Sequence, residues 1–330
     1  MELTLARRTT PWSNIHQHCR FATASQNKED IPVVKIFRTL AICMIGAAFT
    51  ASSVAWAHTT YTQVDYPGAV LTEIVGGPNL QGTSVGVYNL TAGGANHGFV
   101  RTANGRFTAI DVPGATGTTP NFINLEGVVV GSYLDSAGSS HGFVLNGGRY
   151  TTVNYPGALG SGVSSINDLG ELSGFYCSDA ACDTSATFHS YVRSRSGVFT
   201  SFDPPGATGS ESATVSLLGV VVGSYDTASE PTCSTQCDGY LLARGNYTTI
   251  TYPGSSFTFA GGGNVWDTVV GIYVDTAGNG HGYIWSAGTY TSFDYPAASF
   301  TEATGINALG VIVGLFTDSA GNTHGFIRTP

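Results

Sequence analysis

From Tyr61 onward the apolar residues come in short runs rich in Val, Ile, Tyr and Phe, and each run stops at a cluster of Gly, Pro, Asn or Asp. Val128-Val129-Val130-Gly131-Ser132-Tyr133 is one such run, followed by the turn cluster Asp135-Ser136-Ala137-Gly138. β-Branched and aromatic residues bounded by turn formers predict short strands and tight turns rather than helices.

The pattern is periodic. A turn column headed by Pro recurs at Pro67, Pro113, Pro156, Pro205, Pro253 and Pro296, with spacings of 46, 43, 49, 48 and 43. A second column is Gly86, Gly131, Gly174, Gly223, Gly271 and Gly314, each inside an apolar strand. A third begins H-G-F or a relative, at His97, His141, His189, Asp238, His281 and His324. A fourth holds Asn79, Asn124, Asn167, Asn264 and Asn307, with Ser216 as the exception, at the head of a tight turn between two strands. Each unit reads as four antiparallel strands in about 45 residues, the size of a propeller blade. Counted from Leu71, the sixth unit stops at Pro330 after three strands, and the missing fourth is Tyr61-Thr62-Gln63-Val64-Asp65 at the other end. A strand shared in this way closes a ring and leaves no open edge. The expected fold is all-β: a six-bladed β-propeller of four-stranded antiparallel blades over 58–330, closed by the N-terminal strand completing the last blade.

Composition agrees, since 44 Gly and 13 Pro suit turns written six times and 42% hydrophobic residues suffice for a core. Charge is uneven: residues 1–57 hold six Lys/Arg against three Asp/Glu, whereas 58–330 hold seven Arg, no Lys and 19 acids, a balance of −12. That balance argues against nucleic acid or an anionic membrane as partner. Lys35 and Arg38 precede an apolar, small-residue run from Leu40 that ends Ala55-Trp56-Ala57, which predicts a signal peptide over 35–57. Residues 1–34 read as an extended leader or a mis-assigned start. The expected protein is a monomer that is secreted, periplasmic or at the cell surface, with no membrane insertion after cleavage. Cleavage would expose His58 as in copper-dependent polysaccharide oxygenases, but no second His in a matching fold accompanies it, so no metal or cofactor is expected.

The units resemble the HAF-type repeats of bacterial extracellular proteins. His97-Gly98-Phe99, His141-Gly142-Phe143 and His324-Gly325-Phe326 match the H-[AG]-F signature, and Ile306-Asn307-Ala308-Leu309-Gly310 matches I-N-x-x-G. Blades 3 and 4 depart, with His189-Ser190-Tyr191 and Asp238-Gly239-Tyr240. The resemblance covers 61–330 and implies a propeller-like fold outside the cytoplasm; it supplies no catalytic residue.

The repeated His are too widely separated around a ring for one metal ion and are expected to bond within their own blades. The repeated aromatics are expected to be core. Function is sought where the repeat breaks. Glu73, Glu211 and Glu302 share a column that holds Thr119, Gly162 and Phe259 in the other blades. If the first strand is innermost, these acids converge at one channel mouth, to bind a cation or act as acid and base on a glycan; the alternative is a solvated rim. Trp266 and Asp267 of blade 5 replace small residues and the turn Gly, and are candidates for stacking on a sugar or for packing. Cys177, Cys182, Cys233 and Cys237 lie in two lengthened loops and are expected to form disulfides, most economically within each loop; a zinc site is the competing reading. The functional expectation is an exported module that binds a glycan or an extracellular protein. The alternatives are an extracellular lyase or glycosidase using the channel acids, and a structural envelope component.

Overall fold

The structure, a computed structural model, describes residues 59–180, 182, 188–227 and 237–330. The expected leader over 1–34, the expected signal peptide over 35–57, His58 and Cys233 lie outside the described residues.

Six four-stranded antiparallel sheets follow one another along the chain. Blades 1 to 5 span 71–109, 117–153, 160–202, 209–250 and 257–293, each in simple sequence order. Blade 6 takes three strands from 300–329 and its fourth from Thr60–Val64, in the register Thr60↔Thr329 to Val64↔Gly325. Among the described residues, every strand and the closure of the ring lie within 60–329. The first strands of successive blades touch all the way round, including the last against the first, so the first strand is innermost.

Two of the repeated columns are one packing device. Gly86 pairs with Phe99 in the neighbouring strand, and the same pairing recurs at Gly131–Phe143, Gly174–Tyr191, Gly223–Tyr240, Gly271–Tyr283 and Gly314–Phe326. A Cβ on Gly86 would stand 2.0 Å from the Glu73 carbonyl oxygen and 2.6 Å from Cζ of Phe99. The ring lies flat over the second strand because no side chain rises beneath it. All six aromatics are buried, each contributing about 3 kcal/mol or more against truncation.

Each innermost strand also carries a β-bulge at the equivalent point, from Ile74/Gly76 in blade 1 to Ala303/Gly305 in blade 6. A bulge bends the strand where neighbouring blades approach most closely. There a Cβ on Gly305 would meet the Gly77 carbonyl oxygen at 1.9 Å.

The meander gives the ring two unlike faces. One carries the Pro turns and the D-x-x-G turns; the other carries the Asn hairpins and the hairpins between third and fourth strands. On the hairpin face Asn79, Asn167, Asn264 and Asn307 each act twice, holding their own turn and reaching the next blade. Asn124 Oδ1 accepts from the backbone N–H of Glu126 and Val128 and holds its own turn. Asn79 Nδ2 donates to the Asn124 carbonyl of the next blade at 3.0 Å, as Asn167 does to Ser216 and Asn264 to Asn307. Asn307 donates to the Asn79 carbonyl and so links the last blade to the first. Ser216, without an amide, only accepts from Leu218 and Val220.

Candidate binding site

The three aligned glutamates are not brought together. Glu73 lies in the cross-strand row Glu73–Val87–Gly98, and a Cβ on Gly98 would meet Pro120, so this face of blade 1 is turned to blade 2. By the same reasoning the row Glu302–Leu315–Gly325 faces Ile74 of blade 1, and Glu211–Ser224–Gly239 faces Ala260 of blade 5. Each carboxylate thus enters a different seam between blades instead of a shared channel mouth. Among the described residues no three His, Cys, Asp or Glu gather into a group able to hold a metal ion. The solvated-rim reading is corrected as well, because Glu73 is 1% and Glu302 7% exposed. Glu211 is partly buried, and burial pushes its carboxyl up to about 8 from an ordinary 4.5.

Trp266 and Asp267 stand on the hairpin face, at the opposite end of the inner strand from the Pro turns. Trp266 is not packed into the core: the residue is 69% exposed, and its Nε1–H donates to the Ala308 carbonyl of blade 6 at 3.0 Å. Asp267 adopts φ +59°, the left-handed conformation that Gly82, Gly127, Gly170, Gly219 and Gly310 take in the equivalent turns.

The Pro-turn face is lined by rings and hydrogen-bonding groups. In blade 3 Tyr155 and Tyr176 stack at 4.0 Å, His189 continues the stack, and His189 Nδ1 donates to Asp203 at 2.9 Å. The same order recurs as Tyr66–Tyr88–His97–Asp111, Tyr252–Tyr273–His281–Asp294 and Tyr295–Phe316–His324–Asp65. The Asp of the D-x-x-G turn grips the other ring nitrogen of His141, His281 and His324. Burial opposes a charge on His281, yet the carboxylates of Asp294 and Asp275 outweigh it and hold the imidazole above its ordinary 6.5. Hydrogen bonds from the side chain and backbone of Asn322, with lesser ones from the Ala320 backbone and His324, outweigh burial and bring the Asp318 carboxyl down to about 2. His141, His281 and His324 therefore each tie a turn to the end of the last strand within their own blade, whereas His97 and His189 bond to the Asp that follows that strand. In blade 4 Asp238 takes the His place and accepts from Thr251 Oγ1 at 2.6 Å.

Two clefts open on this face. One of about 300 Å³ lies between the 91–96 turn of blade 1 and blade 2, lined by Asn96, Thr116, Thr119, Ser132, Tyr133 and Ser140. Asn89 Nδ2 donates to Asn96 Oδ1 at 2.9 Å, so the Asn96 amide is fixed towards Thr119. The second, of about 340 Å³, is walled by Tyr155, Leu159, Tyr176, Ser178 and His189. The Cys177–Cys182 disulfide braces the loop at its edge. Cys237 is also disulfide-bonded, to a partner outside the described residues. Sequence inspection passed over Asn96, Ser132 and Ser140; the one signal was Thr119, which stands in the glutamate column.

Known structures support the architecture. AofleA from Arthrobotrys oligospora superposes with a TM-score of 0.52 at 12% identity, over 82% of this chain and 86% of that one. The fucose-recognising fungal lectin of Aleuria aurantia, a six-bladed β-propeller, gives 0.45 at 10% identity over 82% and 90%. The β-propeller domain of the Trilobed protease from Pyrococcus furiosus gives 0.48 at 10% identity over 79% and 81%. At such identities the likeness to AofleA is one of fold, and the other two add nothing to it. No family model matches the chain, and no curated protein matches it in sequence.

Proposed function

We propose that this protein is an exported glycan-binding propeller whose ligand sits in the clefts of the Pro-turn face. The observation that carries the reading is the cleft beside Tyr133, which sets an aromatic ring among Asn96, Thr116, Thr119, Ser132 and Ser140 with no charged side chain in its lining. Neutral amides and hydroxyls beside a ring match the hydroxyls and the apolar face of a neutral sugar, and the volume falls at the lower end for small-ligand sites. The second cleft offers the same chemistry with Tyr176, Ser178 and His189. Export is supported by the Cys177–Cys182 disulfide, which suits an oxidising compartment, and by the basic flank and apolar run over 35–57. The repeat columns support a kinship with HAF-type repeats. A hydrolytic role would need two carboxyl groups flanking one exposed bond, and the burial of Glu73 and Glu302 takes them out of reach of a polymer.

The test is a glycan array probed with wild type, Asn96→Ala and Tyr176→Ala. Retention on a defined glycan that drops about tenfold or more in either variant, a loss of the size of one or two good hydrogen bonds, supports the assignment. Wild-type protein retained by no glycan, or equal retention of all three proteins, overturns it.

A further inference from the structure

The hairpin face has a composition unlike the rest of the molecule. Every hairpin between first and second strands around the central channel shows a bare apolar side chain: Leu80, Leu125, Leu169, Leu218, Trp266 and Leu309, from 39% exposed at Leu125 to 91% at Leu218. On the Pro-turn face the place after the turn is apolar and exposed only at Val70 and Leu159. The charges divide along the same axis. Among the described residues all seven Arg belong to the hairpin side, at the end of a third strand or in the hairpin that follows. Arg106, Arg149, Arg195 and Arg244 are exposed there, while Arg101, Arg193 and Arg328 lie over Phe107, Phe199 and Phe293. The described acids on this side are Glu126, Asp168, Glu171 and Asp267; the others sit on the Pro-turn side or in the seams between blades. A chain that is −12 overall from His58 thus presents one basic face.

We propose that the hairpin face docks on an anionic lipid surface, with the Leu and Trp turn tips dipping between headgroups and the Arg ring meeting their phosphates. Charge complementarity selects the occupant, since guanidinium groups pair in two-pronged fashion with phosphate oxygens. The spacing of the apolar groups selects a fluid partner: each stands on its own turn, and the cleft on this face beside Gln81, Thr83, Thr102 and Arg106 is lined by none of these tips. A protein partner would need a separate pocket for every tip, whereas a bilayer interface accepts each independently. Trp is favoured at that depth, where its ring meets acyl chains and its N–H stays polar. This placement leaves the clefts of the opposite face open to solvent.

Co-sedimentation with phosphatidylcholine vesicles, with and without phosphatidylglycerol, tests the proposal. It is run on the full chain and on residues 59–330, which contain every strand of the ring. Binding is expected for both chains, stronger with phosphatidylglycerol and weakened by salt. Leu169→Ser with Leu218→Ser and Leu309→Ser should lower the partition coefficient by about tenfold or more. Arg106→Gln with Arg149→Gln and Arg244→Gln should abolish the preference for phosphatidylglycerol. Val70→Ser with Leu90→Ser, on the other face, should change nothing. These side chains are exposed, and an unchanged melting temperature confirms folding. The proposal is overturned if residues 59–330 bind no vesicle, if only the full chain binds, or if either hairpin-face variant binds as wild type does. It is equally overturned if the protein self-associates without vesicles and the Leu variant abolishes that association, which would make the face a contact between copies.

Discussion

The ring of Phe99 rests on Gly86, so close that a Cβ at position 86 would stand 2.6 Å from the ring edge and 2.0 Å from the Glu73 carbonyl oxygen. Neither partner has room to give, because Phe99 is fully buried between blades. Gly86→Ala and its equivalent Gly314→Ala are expected to cost about 1–3 kcal/mol through overpacking, and Phe326→Ala about 3–5 kcal/mol through the cavity it leaves. Urea unfolding of the three variants measures this. An alanine at 86 or 314 that leaves the midpoint unmoved contradicts the packing.

The link between hairpins predicts a gain as well as a loss. Asn79→Ala removes both its hold on the turn, through Gln81 and Thr83, and the donation to blade 2, and should destabilise by about 1–3 kcal/mol. Ser216→Asn supplies the amide missing between blades 4 and 5 and should stabilise by about 1 kcal/mol. Thermal unfolding compares them; a Ser216→Asn protein that melts below wild type shows that the amide does not reach blade 5.

Glu211 makes stability depend on pH. Its folded carboxyl stays protonated up to about 8, while in the unfolded chain it ionises near 4.5. Between those values the native state holds a proton that the unfolded state has released, so stability falls as pH rises through this window and levels off above it. The change is on the order of a few kcal/mol. Glu211→Gln should flatten the profile between pH 5 and 8 and melt higher than wild type at the alkaline end. An unaltered slope in the variant would falsify the assignment of that proton.

The loop beside the second cleft depends on its disulfide. Cys177 and Cys182 are five positions apart, and closing so short a loop is worth about 2 kcal/mol. Cys177→Ser with Cys182→Ser should lower stability by that order. It should also weaken any ligand held by Tyr155, Tyr176 and His189, and weaken the Asn96–Tyr133 cleft less, since the loop meets that cleft through the backbone bond from Ser140 to Ala180. A glycan-binding titration that separates the two clefts by Tyr176→Ala and Asn96→Ala checks this, and equal weakening at both clefts counts against a local role.

Much of the architecture was legible in the residues alone, because a ring repeats its local rules. Turn formers, the Gly and aromatic columns and the phase offset at Tyr61 each state which strand comes next, and pairing between sequence neighbours carries no further information. The His column, too, bonds within its own blades, as its regularity suggested, since a group repeated in five blades is more simply satisfied locally. The breaks in the repeat were visible as breaks, but their placement was not. Which seam Glu73, Glu211 or Glu302 enters depends on how one twisted sheet lies against the next, and a bulge in every inner strand disturbs the simple alternation that would otherwise decide a side chain's face. Likewise Trp266 reads in the sequence equally as a stacking or a packing residue, whereas its turn projects it over blade 6.

The amino-acid sequence by itself determined the strand count, the closure and the columns that pack, because these rest on local propensity and on contacts between chain neighbours. Only the tertiary structure decided that the acids are hidden in separate seams, that clefts open beside Tyr133 and Tyr176, and that the Arg and the bare Leu side chains share one face. Those properties join residues of different blades, and they exist only once the sheets are set side by side around the axis.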